Sequence, residues 1–268
     1  MSERRLIIAI DGPAGAGKST VARHLAAHFG LLNLETGAMY RAFALKTLRA
    51  KIDPGDAGGL EKLARETAII LDPTPSGNRV LLDGADVTDL IRDPEVTQAA
   101  SRVSIHPVIR AWMVDLQREM GRAGGVVMEG RDIGTVVFPD ADIKFFLDAS
   151  PEARSQRRYE QASGPVAVEN TPESQDVSQE AVTRELRERD DRDRNRAQSP
   201  LRPAPDAVIV DSTFLTLDQV LERIESIVRE RLAEQNLGDE GLASERPAAT
   251  ERTEATERPQ ATARLVQG

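Results

Sequence analysis

The chain is 268 residues long, 40% of them hydrophobic, and carries a net charge of −9 at pH 7. It has no cysteine and only three histidines, which excludes disulfides and thiolate zinc sites and argues against an imidazole-based metal site. The acidic balance argues against a general nucleic-acid binder, because such a protein needs a basic surface that releases counterions.

The first predicted element is an apolar strand over residues 6–10, close to the start of the chain. This run is too short for the core of a signal peptide or for a membrane span. Together with the absence of cysteine, it leads us to expect a cytoplasmic protein with no membrane partner.

The strand is followed by Gly12-Pro13-Ala14-Gly15-Ala16-Gly17-Lys18-Ser19 and Thr20, then by a helical pattern. This order matches G-x-x-x-x-G-K-[ST], a loop whose backbone N–H groups cradle phosphates at a helix N-terminus. Lys18 adds a charge for the outer phosphates, and the Ser19 hydroxyl can hold Mg²⁺. We predict that this loop binds a nucleoside triphosphate. His24 and His28, four residues apart on the following helix, are interpreted as surface residues.

Four more short apolar runs, residues 31–34, 126–128, 143–147 and 207–210, predict buried parallel strands separated by helices. The expected fold is therefore a three-layer α/β P-loop NTPase fold with a five-stranded parallel sheet. Polar residues follow most of these strands, at the edge where such sheets bind ligands. The active site is expected there.

Residues 53–98 have a different character, with turn-rich stretches around short β-like pieces and a hairpin turn at Asp83-Gly84. We predict a small antiparallel insert on a core formed by residues 1–52 and 99–234. Such an insert is either a long excursion without function or a mobile clamp over a second substrate.

Ser150 and Pro151 predict a helix start, and the helix brings Arg154, Arg157 and Arg158 to one region. Residues 161–179 are polar and predict a flexible loop. In the next helix Arg189, Asp193 and Arg196 fall on one face. A last amphipathic helix precedes residues 235–268, whose low-complexity composition predicts a disordered tail.

The chemistry of a phosphate loop is compatible with a switch, a motor or a kinase. No Asn-Lys pair is present to read guanine, which argues against a GTPase. Glu129, after an apolar strand, could serve a motor-type ATPase. The abundance of arginine near the predicted sheet edge favours transfer between two anionic nucleotides, which requires several guanidinium groups. These arginines are Arg41, Arg110, Arg131, Arg154, Arg157, Arg158, Arg189 and Arg196.

Over roughly residues 4–232 the sequence resembles the bacterial-type cytidylate kinases, a family of nucleoside monophosphate kinases. The resemblance lies in the phosphate loop with Ile10 and Asp11, in Thr36-Gly37-Ala38-Met39-Tyr40-Arg41, and in residues 129–141, which begin Glu129-Gly130-Arg131-Asp132. It continues through residues 189–196 and Asp211-Ser212-Thr213. Glu35 stands where the family would have aspartate, and the 161–179 loop is longer and more polar than expected.

The resemblance implies ATP-dependent phosphorylation of CMP and dCMP, with Lys18, Arg131, Arg157, Arg189 and Arg196 as catalytic residues. It implies that residues 12–20 bind ATP under a lid, around residues 151–196, that carries Arg154, Arg157 and Arg158. The implied CMP-binding residues are Thr36, Tyr40, Arg41, Ser101, Arg110, Arg131, Asp132, Arg189, Asp193 and Arg196. Residues 53–98 correspond to the family's nucleotide clamp. Ser19 is the expected Mg²⁺ ligand, with Glu129 acting through water.

The expected partners are therefore small-molecule nucleotides bound by a monomer, and neither nucleic acid nor a membrane. Two alternatives stay open. The protein could be a monophosphate kinase that reads UMP or another acceptor, or a nucleotide-dependent switch whose tail recruits partners.

Overall fold

The structure, a computed structural model, describes residues 5–74, 77–162 and 179–243. Its first compact unit ends at Val228 and its second begins at Arg229. Within the second unit, the described residues 229–243 form the C-terminal part of a helix. The predicted flexible loop, apart from its ends, and the tail beyond residue 243 lie outside the described residues.

Five parallel strands form the central sheet, as the sequence predicts. They are β1 (Ile7–Asp11), β2 (Leu32–Glu35), β6 (Val126–Gly130), β7 (Ile143–Asp148) and β8 (Val208–Asp211). Their order in the sheet is β2-β6-β1-β7-β8, and every neighbouring pair is parallel. The central strand β1 therefore leads directly into the phosphate loop between its two neighbours.

Both faces of the sheet are buried, which is the signature of a three-layer α/β fold. Successive side chains of a strand point to opposite faces. Ile7 and Ala9 of β1 pack into the main hydrophobic cluster, while Ile8 and Ile10, which point the other way, are also fully buried. The α/β fold class expected from the sequence is confirmed.

Eight α-helices lie in the described residues. They are α1 (Lys18–Phe29), α2 (Thr36–Arg49), α3 (Ala57–Arg65), α4 (Pro94–Val103), α5 (Pro107–Gly121), α6 (Pro151–Ala162), α7 (Gln179–Asn195) and α8 (Leu217–Ala243). A short 3₁₀ turn covers Leu90–Arg92, and a π-helical turn covers Ile133–Val137.

The stretch between α2 and α4 carries the small antiparallel sheet, which consists of β3 (Ile69–Thr74), β4 (Gly77–Leu82) and β5 (Ala85–Asp86). Asp83 and Gly84 both have positive φ, as the predicted hairpin turn requires. This stretch also contains α3, which the sequence analysis did not predict. The Asp56 side chain caps α3 by accepting from the Gly59 N–H at 3.1 Å.

The small sheet shares a hydrophobic core with the parallel sheet. Leu60, Leu71 and Val80 belong to the same buried cluster as Leu34 and Phe43. The contact is also polar: the Asn78 side chain accepts from the Glu35 N–H at 2.8 Å and donates to the Asn33 carbonyl at 2.7 Å. The insert is thereby held against β2. Whether residues 53–98 move as a clamp stays a prediction.

The last helix extends farther than the sequence analysis placed it. The tail was expected to begin at residue 235, but α8 continues to Ala243. Once a helix is nucleated, adding residues costs little, so a helix can run past its last apolar position.

Within the described part of the chain, no helix combines the length and apolar character needed to cross a bilayer.

Candidate active site

The phosphate loop joins β1 to α1 and depends on glycine at defined positions. Gly12 has a φ of +148°, and a Cβ there would lie 2.0 Å from the Leu147 carbonyl oxygen of β7. Gly17, with a φ of 93°, caps the start of α1. The loop thus turns tightly beside β7 and leaves its N–H groups at a helix N-terminus, as anion binding requires.

Lys18, the first residue of α1, is buried and turned back over the loop. Its Nζ donates to the Pro13 carbonyl at 2.7 Å. Burial and, after it, the nearby positive charge of Arg131 lower the pKa of Lys18 to about 7, against the opposing effect of Glu129. Lys18 is therefore close to the arginines of a second cavity described below.

Asp11, at the end of β1, links the phosphate loop to the segment that follows Arg131 and Asp132. Its carboxylate accepts from the N–H groups of Ile133 and Gly134, both at 2.8 Å. Burial raises the pKa of Asp11 to about 6, although these two hydrogen bonds oppose the shift. The sequence analysis included this residue in a matching motif but assigned it no role.

A first cavity of about 720 Å³ opens beside the loop. Its lining includes the loop residues Gly15 to Thr20, the helix α6 arginines Arg154, Arg157 and Arg158, and Ser212, Leu215, Leu217 and Val220. Arg157 donates to the Ser212 hydroxyl at 3.0 Å and to the Ser212 carbonyl at 2.5 Å. Ser212 follows the polar end of β8 and had no assigned role, although it lay in a matching motif.

Arg154 lies at the back of this cavity with 1% of its surface exposed. It donates to the Ala149 carbonyl and to the Ala14 carbonyl of the phosphate loop, each at 2.9 Å, and to the Asp190 carboxylate at 2.5 Å. Each guanidinium nitrogen is thus engaged by the protein itself. This placement differs from the solvent-facing arginine that a lid contact with ATP would use.

Ser19 and Glu129 form the polar group that fits a magnesium ion. Glu129 is buried at the end of β6, and its Oε1 has no hydrogen-bond partner among the described residues. Burial raises its pKa to about 7, with the neighbouring Glu35 adding to the rise, while Lys18 and the Ser19 hydroxyl oppose it. A hydroxyl beside a buried carboxylate oxygen suits Mg²⁺, which prefers oxygen ligands.

A second, narrower cavity of about 60 Å³ lies at the carboxyl end of the sheet. It collects most of the predicted CMP-binding residues: Thr36, Tyr40, Ser101, Arg110, Arg131, Asp132, Arg189, Asp193 and Arg196. These residues come from five separate segments of the chain. Arg131 and Arg189, which line this cavity, both act on the pKa of Lys18, so the two cavities meet near that lysine.

The second cavity is narrow because its charged side chains pair with each other. Arg110 pairs with Asp132, and both are buried. Arg131 Nε donates to Asp193 Oδ2 at 2.9 Å, and Arg196 Nη1 lies 3.5 Å from Asp193 Oδ1. Burial alone would raise the pKa of Asp193, but the surrounding arginines outweigh it and hold that pKa below its ordinary value.

Arg189 and Tyr40 show how strongly the protein encloses this cavity. Burial lowers the pKa of Arg189 to about 10, and the adjacent Arg131 charge contributes. Burial also raises the pKa of Tyr40 to about 12. Tyr40 lies under the Arg110 guanidinium, whose carbon is 5.8 Å from the ring centroid.

Thr36 donates to the Glu129 carbonyl at 2.7 Å and so joins α2 to β6.

Arg41 is the one predicted CMP-binding residue that does not line the second cavity. It pairs with Glu35 at 2.5 Å and lines a neighbouring cavity of about 280 Å³ together with Ser19 and Asn78. It nevertheless lies close enough to lower the pKa of Arg189. Glu35, at the end of β2, therefore pairs with the guanidinium of a residue that the sequence analysis assigned to CMP binding.

Several buried polar atoms around the second cavity have no hydrogen-bond partner within the described residues. Four belong to residues that line it, Tyr40 Oη, Ser101 Oγ, Arg110 Nε and Arg196 Nη2, and a fifth, Arg41 Nε, belongs to the neighbouring cavity. All five belong to the predicted CMP-binding set. Buried polar groups are rarely left unpaired, so such a group of atoms indicates a site built for a polar ligand.

Comparisons with known proteins agree with this geometry. A family model described as cytidylate kinase matches residues 8–230. A cytidylate kinase from Solibacter usitatus (strain Ellin6076) is 48% identical over 86% of this chain and 95% of the relative. One from Pelotomaculum thermopropionicum is 50% identical over 81% of this chain and 93% of the relative. One from Syntrophotalea carbinolica is 45% identical over 90% of this chain and 99% of the relative.

The family-model match covers the phosphate loop, the insert, both cavities and about the first half of the last helix. The matches confirm the resemblance drawn from the motifs alone. The chain belongs to the cytidylate kinase family.

Proposed function

We propose that this protein transfers a phosphoryl group from ATP to CMP and dCMP, giving CDP or dCDP and ADP. Membership of the cytidylate kinase family supports the reaction. The observation that carries the proposal is the set of four unpaired buried polar atoms on residues that line an arginine-rich cavity next to a phosphate loop. A protein that only hydrolysed ATP would have no use for this second polar site.

The arginines of the second cavity fit an acceptor that is itself a phosphate. Two nucleotides repel each other, and a planar guanidinium can bind two phosphate oxygens at once. The acceptor phosphate is already ionised near neutral pH, so no side chain has to remove a proton from it. Positioning and charge neutralisation by Lys18, Arg131, Arg157, Arg189 and Arg196 can then supply most of the catalysis.

On the ATP side, residues 12–20 would bind the phosphates through backbone N–H groups, with Lys18 adding its charge. Ser19 would hold Mg²⁺, with Glu129 acting through water. When bound, the ion neutralises negative charge on the ATP phosphates. Arg157 and Arg158 would close over ATP from α6. The internal contacts of Arg154 support a role in shaping the phosphate loop, so its direct contact with ATP is the least supported of the three.

On the acceptor side, Arg131, Arg196 and Arg41 would bind the phosphate, with Thr36 and Tyr40 beside them. Arg131 and Arg196 both pair with Asp193. This pairing supports an exchange in which the entering phosphate displaces the Asp193 carboxylate from the two guanidinium groups. Such an exchange would also widen a cavity too small for a nucleotide as it stands. Asp193, once released, and Arg189 would be the pair that meets the sugar.

The cytosine base would be read by Ser101, Arg110 and Asp132. Cytosine offers an N4 amino donor that a carboxylate accepts, and its O2 and N3 are acceptors for an arginine. The buried Arg110–Asp132 pair presents both functions side by side. Uracil has an acceptor in place of the amine and would face the Asp132 carboxylate with a lone pair, so we expect CMP to be preferred over UMP.

We further propose that the protein works as a monomer on small-molecule nucleotides in the cytoplasm. The absence of cysteine fits a reducing compartment. The acidic balance of the whole chain fits small nucleotides better than nucleic acid, which would require a basic surface.

A coupled assay of ADP release over a panel of nucleoside monophosphates tests the reaction. We expect CMP and dCMP to be the best acceptors, with UMP well behind. A preference for UMP would move the protein to another specificity within the same class. The second candidate, a nucleotide-dependent switch, would give slow ATP hydrolysis that no monophosphate accelerates.

A further inference from the structure

Two histidines of α1 and one glutamate of α8 form a cluster away from both cavities. His24 Nε2 contacts Glu225 Oε1 directly, and His28 Nδ1 lies 3.8 Å from the same oxygen. One ligand atom from each of the three residues lies within 4.8 Å of the others. We propose that His24, His28 and Glu225 bind a divalent transition-metal ion, for which Zn²⁺ is the best match.

The helix positions of the two histidines suit chelation. Residues four apart lie one turn above each other on the same face of a helix. The rings of His24 and His28 are 6.0 Å apart between centroids, with an angle of 24° between their planes. Glu225 approaches this pair from α8 and supplies the third ligand. Because the ligands come from two helices, a bound ion would link α1 to α8.

Two imidazoles and one carboxylate make a ligand set that Zn²⁺ accepts readily, whereas Mg²⁺ prefers oxygen ligands only. In a tetrahedral zinc site the ligand atoms lie roughly 3.3 Å apart, given metal–ligand distances of about 2.0–2.2 Å. To reach this spacing, Glu225 Oε1 and His24 Nε2 would move apart, and Glu225 Oε1 and His28 Nδ1 would come closer together. The histidines are 33% and 38% exposed, so water can reach the ion as its remaining ligand.

The position of the cluster suggests what the ion would stabilise. Helix α1 begins with Lys18 and Ser19 of the phosphate loop, and α8 begins near Leu217 and Val220. Both helices line the first cavity. An ion on His24, His28 and Glu225 would therefore fix two walls of that cavity relative to each other. The binding of the metal itself does not depend on the proposed kinase reaction.

Calorimetric titration of the tag-free full-length protein with ZnCl₂, in the absence of nucleotide, tests the site. We expect one Zn²⁺ per chain, and no comparable binding of Mg²⁺ at the same concentrations. His24→Ala, His28→Ala and Glu225→Gln should each weaken Zn²⁺ binding by more than about tenfold, since even the partners of metal ligands commonly contribute that much. His106→Ala is the matched control, because His106 contacts the Pro54 carbonyl elsewhere in the fold.

A second measurement separates a defined site from scattered binding. X-ray absorption of the Zn²⁺-loaded protein should show two imidazole nitrogens at about 2.0–2.1 Å. Thermal unfolding should move to higher temperature with Zn²⁺ in the wild type and in His106→Ala, but not in Glu225→Gln. The proposal is overturned if the wild type binds no Zn²⁺, or if the three ligand variants bind it as the control does.

Discussion

Arg154 and Asp190 form a buried ion pair, 2.5 Å long, that joins α6 to α7 directly behind the phosphate loop. The two side chains are 1% and 6% exposed. A second ion pair, between Arg187 and Glu152, joins the same two helices, but its side chains are 59% and 62% exposed. One buried and one exposed ion pair therefore join the same two helices, so their contributions to stability can be compared within one protein.

Asp190→Ala should lower the free energy of unfolding by about 3–5 kcal/mol, because it leaves the Arg154 charge buried and unpaired. Glu152→Ala should have little measurable effect, since exposed ion pairs contribute weakly. Urea unfolding of both variants checks this. Equal effects of the two substitutions would contradict the role assigned to burial. The KM for ATP should also rise in Asp190→Ala, because Arg154 holds the Ala14 carbonyl of the loop.

Lys18→Ala should lower kcat by on the order of a hundredfold or more, as expected for the loss of a charge that stabilises the transition state. The measurement is the steady-state rate with saturating ATP and CMP. Far-UV circular dichroism should be unchanged, which separates loss of chemistry from loss of fold. Near-normal turnover would remove Lys18 from the mechanism.

The net number of protons that the protein takes up when it binds nucleotide should change sign near pH 7. In the free protein the pKa values of Lys18 and Glu129 are both about 7, chiefly through burial. A bound triphosphate raises the pKa of Lys18, and a bound Mg²⁺ lowers that of Glu129. Above pH 7 the neutral lysine therefore takes up a proton, whereas below pH 7 the protonated carboxyl group releases one.

Calorimetry with Mg²⁺ and a non-hydrolysable ATP analogue, in two buffers of different ionisation enthalpy, measures this exchange. We expect net uptake at pH 8 and net release at pH 6. Lys18→Met should lose the uptake and keep the release, and Glu129→Gln should do the reverse. Undiminished uptake at pH 8 in Lys18→Met would assign the proton to another group.

Asp132→Asn should narrow the preference for CMP over UMP. The substitution exchanges a carboxylate that accepts the cytosine amine for an amide that can also donate to uracil. The ratio of kcat/KM for the two acceptors is the quantity to measure, because it does not depend on the fraction of folded enzyme. A good bidentate hydrogen-bonding contact contributes roughly 1–3 kcal/mol of discrimination, or about five- to 150-fold. An unchanged ratio would refute the base-reading role.

Removing residues 244–268 should leave kcat/KM for CMP and the melting temperature nearly unchanged. The proposed catalytic residues and the buried core of the described residues lie before this segment, and its composition offers little to bury. The comparison requires only the full-length chain and the truncated chain under identical conditions. A large loss in either quantity would mean that the tail contributes to the folded enzyme.

Sequence reasoning located the strands well because a buried parallel strand is a short apolar run with a polar end. It missed α3, since the turn signals at Asp53-Pro54-Gly55-Asp56 obscured the helix that Asp56 caps. Spacing alone could not show which arginine of α6 points inward. Arg154 is recognisable as an internal residue only once Asp190 is placed beside it, because 35 intervening residues separate them in sequence.

Sequence patterns also failed to predict two contacts between side chains, one at the acceptor site and one at the histidines of α1. Motifs brought together the residues of the second cavity, but the competition of Glu35 for Arg41 depends on a side-chain orientation that no motif encodes. His24 and His28 were interpreted as surface residues because their partner, Glu225, lies 201 positions away. Contacts between distant segments are decided by packing, and periodicity carries no information about them.

The Asn78 side chain has a consequence for the behaviour of the protein at high concentration. Strand β2 is the outermost strand on its side of the sheet, so its N–H and C=O groups could pair with a strand of another molecule. By bonding to both Asn33 and Glu35, the amide of Asn78 imitates a peptide group of a sixth strand and occupies those positions. A single side chain thereby protects this margin from intermolecular β-sheet growth and aggregation.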